Sequence, residues 1–275
     1  MRQSRGAKVT RQYVTFPIDF HILGRTVSSH LVMEAIAYCV GFQTYLMLRR
    51  REVQSHEDAV TQVWIIAGAI LGALVGSKVL AIVESFPDYW SLRADPRVWL
   101  EGKTIVGGLL GGWIGVEIVK FFRHVRGSTG DAYVIPLILG IAIGRVGCFL
   151  TGLADHTHGT RTALPWGVDF GDGKRHPTQL YEIIALLCIG AIIVFRQRFP
   201  HARGELFRLF LALYLLFRFL VEFIKPTFKP YAHLSAIQIA SAIGAIFCIV
   251  SIYKLRASDS RTRAVHSDPL ANAER

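Results

Sequence analysis

The chain has 275 residues, of which 52% are hydrophobic and 19% are charged, with a formal net charge of +11. The apolar residues fall in blocks of about 20, the length that crosses a bilayer as a helix, so a water-soluble globular domain is excluded. The basic residues lie between these blocks and form no single stripe with interleaved aromatics, which favours anionic lipid headgroups over nucleic acid as partners.

Seven apolar blocks predict an all-α, polytopic membrane protein with seven transmembrane helices. In chain order they cover residues 31–48, 59–83, 104–122, 132–152, 178–195, 204–224 and 233–253. We therefore divide the chain into an extracytoplasmic N-terminal segment (1–30), a membrane domain (31–254) and a cytoplasmic tail (255–275). The tail is polar, and we expect it to be disordered.

The basic residues of the loops predict the orientation, because Lys and Arg accumulate on the cytoplasmic side of the membrane. They follow the first, third, fifth and seventh spans, so the N-terminus is expected outside and the C-terminus in the cytoplasm. These residues are Arg49, Arg50, Arg51, Lys120, Arg123, Arg126, Arg196, Arg198, Arg203, Lys254, Arg256, Arg261 and Arg263.

Several ionisable residues interrupt the spans, although each costs about 2.5–3.5 kcal/mol at the bilayer centre. On the predicted topology they all lie in the outer half of the membrane, so we expect them to face one shared polar cavity. They are Glu34, Lys78, Arg145, Glu182, Arg218 and Glu222, with Lys103 and His176 at the outer starts of two spans.

The sixth span places Tyr214, Arg218, Glu222 and Lys225 on one helical face, at intervals of four, four and three residues. One interpretation is a structural ion pair between Arg218 and Glu222 that only orients the helix. The other joins Arg218 to Arg145 in an anion site, because the planar guanidinium fork matches phosphate oxygens. A lipid phosphate is the anion that a membrane supplies.

Glycines recur in the third and fourth spans. In chain order they are Gly107, Gly108, Gly111, Gly112, Gly115, Gly140, Gly144, Gly147 and Gly152. Small residues at this spacing indicate close helix packing, and some of them also give a ligand access to the backbone.

Five segments together resemble the bacterial prolipoprotein diacylglyceryl transferases. They are GGLLG (107–111), GRVGCFLTG (144–152), WGVDF (166–170), RHPTQLYE (175–182) and YLLFRFLVEF (214–223). The resemblance implies an enzyme of the bacterial inner membrane that needs no cofactor. Such an enzyme moves the diacylglyceryl group of phosphatidylglycerol to the thiol of a lipobox cysteine in a prolipoprotein, releases glycerol phosphate and leaves a thioether.

The resemblance also implies the site. Arg145 and Arg218 match the two essential arginines of the family and would hold the phosphate, and Glu222 and His176 fall on further motif positions, as do some of the substrate-binding residues. We add Lys103 as a catalytic candidate because it precedes the glycine run of the third span. We assign substrate binding to Glu34, Lys78, Gly107, Gly108, Gly144, Asp155, Arg175, Gln179, Tyr181, Glu182, Tyr214 and Lys225.

The chain departs from the family pattern at five positions. Cys148 and Thr151 replace two asparagines, Leu153 a glutamate, Val106 a histidine and Glu34 a tyrosine. The arginines that would bind phosphate are retained, whereas the residue that would serve as the general base in the family is replaced. The sequence therefore leaves the identity of the acceptor undecided. Besides Lys103, replacement bases are available in the loop after the fourth span, at Asp155, His156 and His158.

Three hypotheses follow. The chain is a lipoprotein-modifying transferase, a paralogue that passes the same lipid group to another acceptor, or a non-catalytic binder of lipids or anions. A transporter, which is one form of the third hypothesis, is disfavoured because the sequence shows no two repeated halves. Asp155, His156 and His158 also permit a metal, but with no partner ligands in view we expect no metal site.

Overall fold

The structure is a computed structural model that describes residues 16–22, 24–51, 59–91, 102–125 and 127–267. The described residues form α-helices joined by loops and two short antiparallel hairpins. Strand β1 (Phe20–Ile22) pairs with β2 (Arg25–Val27), and β3 (Val168–Asp169) pairs with β4 (Lys174–Arg175).

Six of the described helices are long and apolar enough to cross a membrane, which confirms the prediction of a helical membrane protein. The described helices are α1 (Ser29–Arg51), α2 (Ala59–Glu84), α3 (Phe86–Ser91), α4 (Ile105–Phe122), α5 (Val134–Thr151), α6 (Thr178–Arg196), α7 (Glu205–Val221) and α8 (Ala236–Ser267). The six candidate spans are α1, α2, α4, α5, α6 and α8. Their bounds follow the predicted blocks closely, and α7, which has 17 residues, occupies the sixth block.

The C-terminal helix is longer than predicted. Helix α8 continues to Ser267, so residues 255–267 are helical rather than disordered, and residues 268–275 lie outside the described part. One cause is visible at Arg256, whose Nε donates to Oε1 of Glu205 at the start of α7. This contact holds the helix in place after its apolar stretch has ended.

Helices α2 and α4 pack at backbone distance, as the glycine spacing predicts. A Cβ added to Gly111 would lie 2.3 Å from the carbonyl oxygen of Gly72, and one added to Gly115 would lie 2.1 Å from that of Gly68. Gly107 meets Gly76 in the same way. Lipid tails give helices no hydrophobic reason to associate, so such close van der Waals contact is what joins them.

Helix α7 forms the centre of the bundle. Phe210, Leu211, Tyr214 and Leu215 have no exposed surface, and they pack in one core with residues of α5 and α6. Large apolar side chains of α2, in contrast, face outward. This distribution suits helices whose outer faces contact lipid.

The N-terminal segment and the loop between α5 and α6 meet at one end of the bundle. The ring of Phe16 packs against Phe149 and Phe170, with centroids 5.6 and 4.9 Å apart. The backbone N–H of Ile18 donates to the carbonyl oxygen of Leu150 at 2.9 Å. Both hairpins therefore cover the same end of α5.

Candidate active site

The charged side chains of three helices converge on one carboxylate, that of Glu182. Nε of Arg145 lies 2.9 Å from Oε2 of Glu182, and Nη1 of Arg218 donates to the same oxygen at 3.1 Å. All three residues are buried, at 6%, 4% and 2% exposure. Of the residues expected to face one another, these three are therefore in direct contact.

The same helices supply two further members of this cluster. The hydroxyl of Tyr214 donates to Oε1 of Glu182 at 2.6 Å, and Nη2 of Arg218 donates to Oε2 of Glu222 at 3.2 Å. The intrahelical pair between Arg218 and Glu222 is thus present, but it is one part of a network that joins α5, α6 and α7.

Lys225 adds a third positive charge. It is buried and interacts electrostatically with Arg145, Arg218, Glu182 and Glu222. The five charged residues carry three positive and two negative formal charges. The nearby carboxylate of Glu84 accepts a hydrogen bond from the backbone N–H of Ile237 at the N-terminus of α8, where the helix dipole offsets part of its charge. The five residues Arg145, Arg218, Lys225, Glu182 and Glu222, hereafter the arginine cluster, thus carry a formal charge of +1.

Buried polar atoms beside these charges are available to a ligand. Within the described residues, neither amide atom of Gln179 has a hydrogen-bond partner, and the same holds for Nε of Arg218 and Oε1 of Glu222. A buried polar group left unpaired costs about 1–3 kcal/mol. A ligand that pairs with these atoms removes that cost.

Hydrogen bonds in and around the segment before α6 hold two other predicted residues, His176 and Tyr181. Nδ1 of His176 lies 3.2 Å from the hydroxyl of Tyr181, which also accepts a hydrogen bond from Nε1 of Trp166 at 2.9 Å. The backbone N–H of His176 donates to the carbonyl oxygen of Thr160 at 3.0 Å. This fixes His176 at the start of the helix that carries Gln179 and Glu182.

Arg175 stabilises the loop that crosses this end of the bundle. Its Nε donates to Oδ1 of Asp172 at 2.9 Å, and its Nη1 donates to the carbonyl oxygen of Gly159 at 3.3 Å. The hydrogen bonds from Arg175 lower the pKa of Asp172, and the same pair raises the pKa of Arg175. Burial, aided by the charge of Arg175, lowers the pKa of His158. Arg175 is therefore engaged in the loop itself.

A second feature is an apolar cleft of about 690 Å³ between α1, α2, α4, α5 and the start of α7. Glu34, Lys78 and Lys103 line one end, and Gly108 lies along it. The residues that line the cleft, within the described part of the chain, do not include the arginine cluster. The structure thus separates the predicted site residues into two groups.

The N-terminus of α4 places Lys103 beside α2. The backbone N–H of Thr104 donates to Oγ of Ser77 at 3.0 Å, and the Thr104 hydroxyl accepts from the N–H of Gly107 at 3.2 Å. Lys103 is exposed at this junction. Glu34 accepts a hydrogen bond from Tyr38 one turn further along α1, at 3.0 Å.

The remaining predicted residues have other surroundings. Gly107 serves helix packing, and a Cβ added to Gly144 would meet no atom within 4 Å. Asp155 accepts a hydrogen bond from Thr157 and lies 3.4 Å from Nδ1 of His30. Val106 is buried in the apolar core.

Four residues with contacts to the predicted ones were not themselves predicted from the sequence: Trp166, Asp172, Tyr38 and His30. Trp166 and Asp172 lie in or next to the motif segments, so their position in the chain was a usable signal. His30 precedes the first apolar block and carries no local pattern that marks it as part of a site.

The sequence model of the prolipoprotein diacylglyceryl transferase family matches residues 17–254. The chain belongs to this family. It is 31% identical over 256 residues to the phosphatidylglycerol–prolipoprotein diacylglyceryl transferase of Dehalococcoides mccartyi, covering 87% of this chain and 94% of that relative. The enzymes of the same name from Bordetella parapertussis and Coxiella burnetii are 32% and 33% identical, over 68% and 69% of this chain and 75% and 76% of theirs.

The matched region includes the buried arginine cluster. Arg145, Glu182, Arg218 and Glu222 all fall inside the matched region and inside the segments on which the resemblance was based. The chain is thus a multi-pass membrane protein of a transferase family, with a polar site buried between helices.

Proposed function

We propose that the chain transfers the diacylglyceryl group of phosphatidylglycerol to the cysteine thiol of a prolipoprotein. The observation that supports this most is the convergence of Arg145 and Arg218 on Glu182, with Lys225 leaving one positive charge in excess. A phosphodiester carries one negative charge, so the lipid headgroup neutralises the cluster. The names of the relatives supply the donor and the acceptor.

The proposed reaction makes use of this charge balance. The acceptor sulfur bonds to the terminal glyceryl carbon of the diacylglyceryl group, and the bond from that carbon to the phosphate oxygen breaks. Glycerol phosphate leaves with the electron pair, so its phosphate gains a second negative charge. Guanidinium groups held near that oxygen stabilise the developing charge, and their fixed positions avoid reorganisation during the reaction.

Glu222 is our candidate for the group that accepts the thiol proton. Its Oε2 pairs with Arg218, while its Oε1 is buried and has no hydrogen-bond partner in the described part of the chain. A proton on Glu222 raises the charge of the cluster by one at the step in which the leaving phosphate becomes more negative. His176 and Tyr181 lie at the start of the same helix as Glu182 and would position the headgroup.

The site would lie in the outer half of the membrane. Arg145 is near the end of α5, Glu182 near the start of α6 and Arg218 near the end of α7, so alternating helix directions bring all three to one end of the bundle. In this proposal α7 also crosses the membrane, as the sixth of seven spans, the N-terminus is extracytoplasmic, and the protein resides in the bacterial inner membrane. The basic residues at the other end of the helices support this orientation.

The apolar cleft would hold lipid tails. Side chains such as Leu74, Trp113, Leu137 and Phe207 line it, and apolar walls of this kind suit acyl chains. Lys78 and Lys103 lie at its outer end and would attract the phosphate of an incoming lipid. In this arrangement Lys103 serves lipid entry rather than proton transfer.

A second acceptor class is favoured by one observation, the presence of Cys148 and Thr151 at positions where the family has asparagines. The two acceptor classes can be distinguished by expressing this chain in a bacterial strain that has been depleted of its native prolipoprotein diacylglyceryl transferase. Restored growth with thioether-modified lipoproteins supports the proposal. Consumption of phosphatidylglycerol without modified lipoproteins contradicts it and favours another acceptor, and the Arg218→Ala variant, which loses both the charge and the guanidinium fork, serves as the reference.

A further inference from the structure

Three metal-ligating side chains from separate parts of the chain meet beside the arginine cluster. The ligand atoms of His30, Cys148 and Asp155 all lie within 4.8 Å of one another. Nδ1 of His30 lies 3.4 Å from Oδ1 of Asp155. Nδ1 of His30 is shielded from solvent, and within the described residues it has no hydrogen-bond partner.

The spacing suits a small tetrahedral ion. In tetrahedral zinc sites the Zn–N, Zn–O and Zn–S bonds of about 2.0–2.3 Å place neighbouring ligand atoms roughly 3.4–3.6 Å apart. The His30–Asp155 distance already has this value. Because the ligand atoms all lie within 4.8 Å of one another, the sulfur needs to approach by up to about 1.4 Å, the size of a side-chain rotation or a small shift of the loop.

The fold brings the three residues together by specific contacts. A Cβ added to Gly147 would lie 2.9 Å from Cβ of Met33 and 3.3 Å from Cα of His30, so this glycine lets the start of α1 touch α5. Asp155 ends a short 3-10 helix, Gly152–Asp155, that continues α5. The Thr157 hydroxyl donates to Oδ2 of Asp155, which leaves Oδ1 towards His30.

The charges also fit. A thiolate and a carboxylate neutralise a divalent cation, and a neutral imidazole adds none. Nη1 of Arg145 lies 3.6 Å from Sγ of Cys148, where it would donate a hydrogen bond to the thiolate. Metal ligands are commonly oriented by such hydrogen bonds from neighbouring groups.

We propose that His30, Cys148 and Asp155 bind one Zn²⁺ ion, with a fourth position open to water or to a sulfur or oxygen atom of a substrate. Three protein ligands and one open position are typical of zinc sites that take part in reactions. The expectation of no metal site rested on Asp155, His156 and His158. The structure replaces the two loop histidines with ligands from α1 and α5. The proposal concerns binding alone and does not depend on the reaction proposed above.

The test is metal binding by the purified full-length protein in detergent, with Co²⁺ as the probe. We expect one Co²⁺ per chain, with a near-ultraviolet band from thiolate-to-metal charge transfer and the visible bands of a tetrahedral ion. Excess Zn²⁺ should displace the cobalt and abolish both. A wild-type protein that binds no Co²⁺, or binds it without the thiolate band, overturns the proposal.

Variants identify the ligands. Cys148→Ser should remove the thiolate band, and His30→Ala or Asp155→Asn should lower the affinity for Co²⁺ by at least tenfold. Cys248→Ser, at another buried cysteine, and His156→Ala, at an exposed neighbour, should leave the spectrum unchanged. A band that persists in Cys148→Ser, or that disappears in Cys248→Ser, contradicts the assignment.

Discussion

Arg145 and Arg218 lie on different helices and contact the same oxygen atom, Oε2 of Glu182, at 2.9 and 3.1 Å. Two buried guanidiniums repel each other, and one carboxylate between them offsets only part of that repulsion. The pair is therefore held in place by Glu182 and still attracts a further anion. This relationship is the basis of the proposed phosphate site.

Replacement of either arginine by lysine tests the geometry of that site, since it keeps the charge and removes the planar fork. We expect Arg145→Lys and Arg218→Lys each to lower kcat/KM for phosphatidylglycerol at least about 100-fold, the effect of losing roughly 3 kcal/mol of transition-state stabilisation. Release of glycerol phosphate by the purified variants measures this.

Arg198→Lys is the matched control, because Arg198 is exposed after the end of α6 and far along that helix from Glu182. It should retain full activity. If Arg218→Lys also retained full activity, a positive charge alone would be sufficient, and the proposed pair of hydrogen bonds from the guanidinium to the lipid phosphate would be contradicted.

Glu182→Gln removes the negative charge that two arginines share. Breaking a buried ion pair costs about 3–5 kcal/mol because the remaining charge is left unpaired. Glu222→Gln affects one arginine only, so its melting temperature in detergent should fall less than that of Glu182→Gln. Equal losses would mean that Glu182 is not the centre of the network.

Gly111→Ala tests the contact between α2 and α4. The added Cβ would lie 2.3 Å from the backbone of Gly72, whereas at Gly108 the nearest atom is 3.8 Å away. Because alanine favours a helix over glycine by about 1 kcal/mol, Gly108→Ala should keep or raise the melting temperature while Gly111→Ala lowers it. The opposite order would exclude the backbone-to-backbone packing.

Lys103→Met distinguishes lipid capture from proton transfer. Lys103 lines the cleft and lies outside the arginine cluster, so KM for phosphatidylglycerol should rise about tenfold, the loss of one charge-assisted contact worth about 1.5 kcal/mol. The value of kcat should change little. Lys254→Met, at an exposed lysine of α8, is the control, and a fall in kcat with constant KM would restore Lys103 as the base.

The helices were predictable because the length of an apolar block is fixed by the bilayer. Blocks 104–122 and 178–195 match α4 and α6 almost residue for residue. The end of α8 was not predictable, because the residues after Tyr253 are polar. Their helix is held by the contact between Arg256 and Glu205, and no local sequence pattern indicates that contact.

The contact among the buried charged residues was predictable for a similar reason. Arg145, Glu182, Arg218 and Glu222 are charged residues within apolar spans, and the membrane leaves such groups few places except a shared interior. The cluster of His30, Cys148 and Asp155 was not predictable, because its members come from the N-terminal part of α1, the interior of α5 and a loop. Their proximity depends on Gly147, which brings α1 against α5.

The most direct test of the phosphate site is a coupled assay on the purified protein with phosphatidylglycerol and a lipobox peptide. Mass spectrometry should find one diacylglyceryl thioether on the peptide for each glycerol phosphate released, and neither product with Arg218→Lys. Peptide modification that continues at the wild-type rate in Arg145→Lys and Arg218→Lys, or the absence of both products with the wild-type protein, would contradict the account.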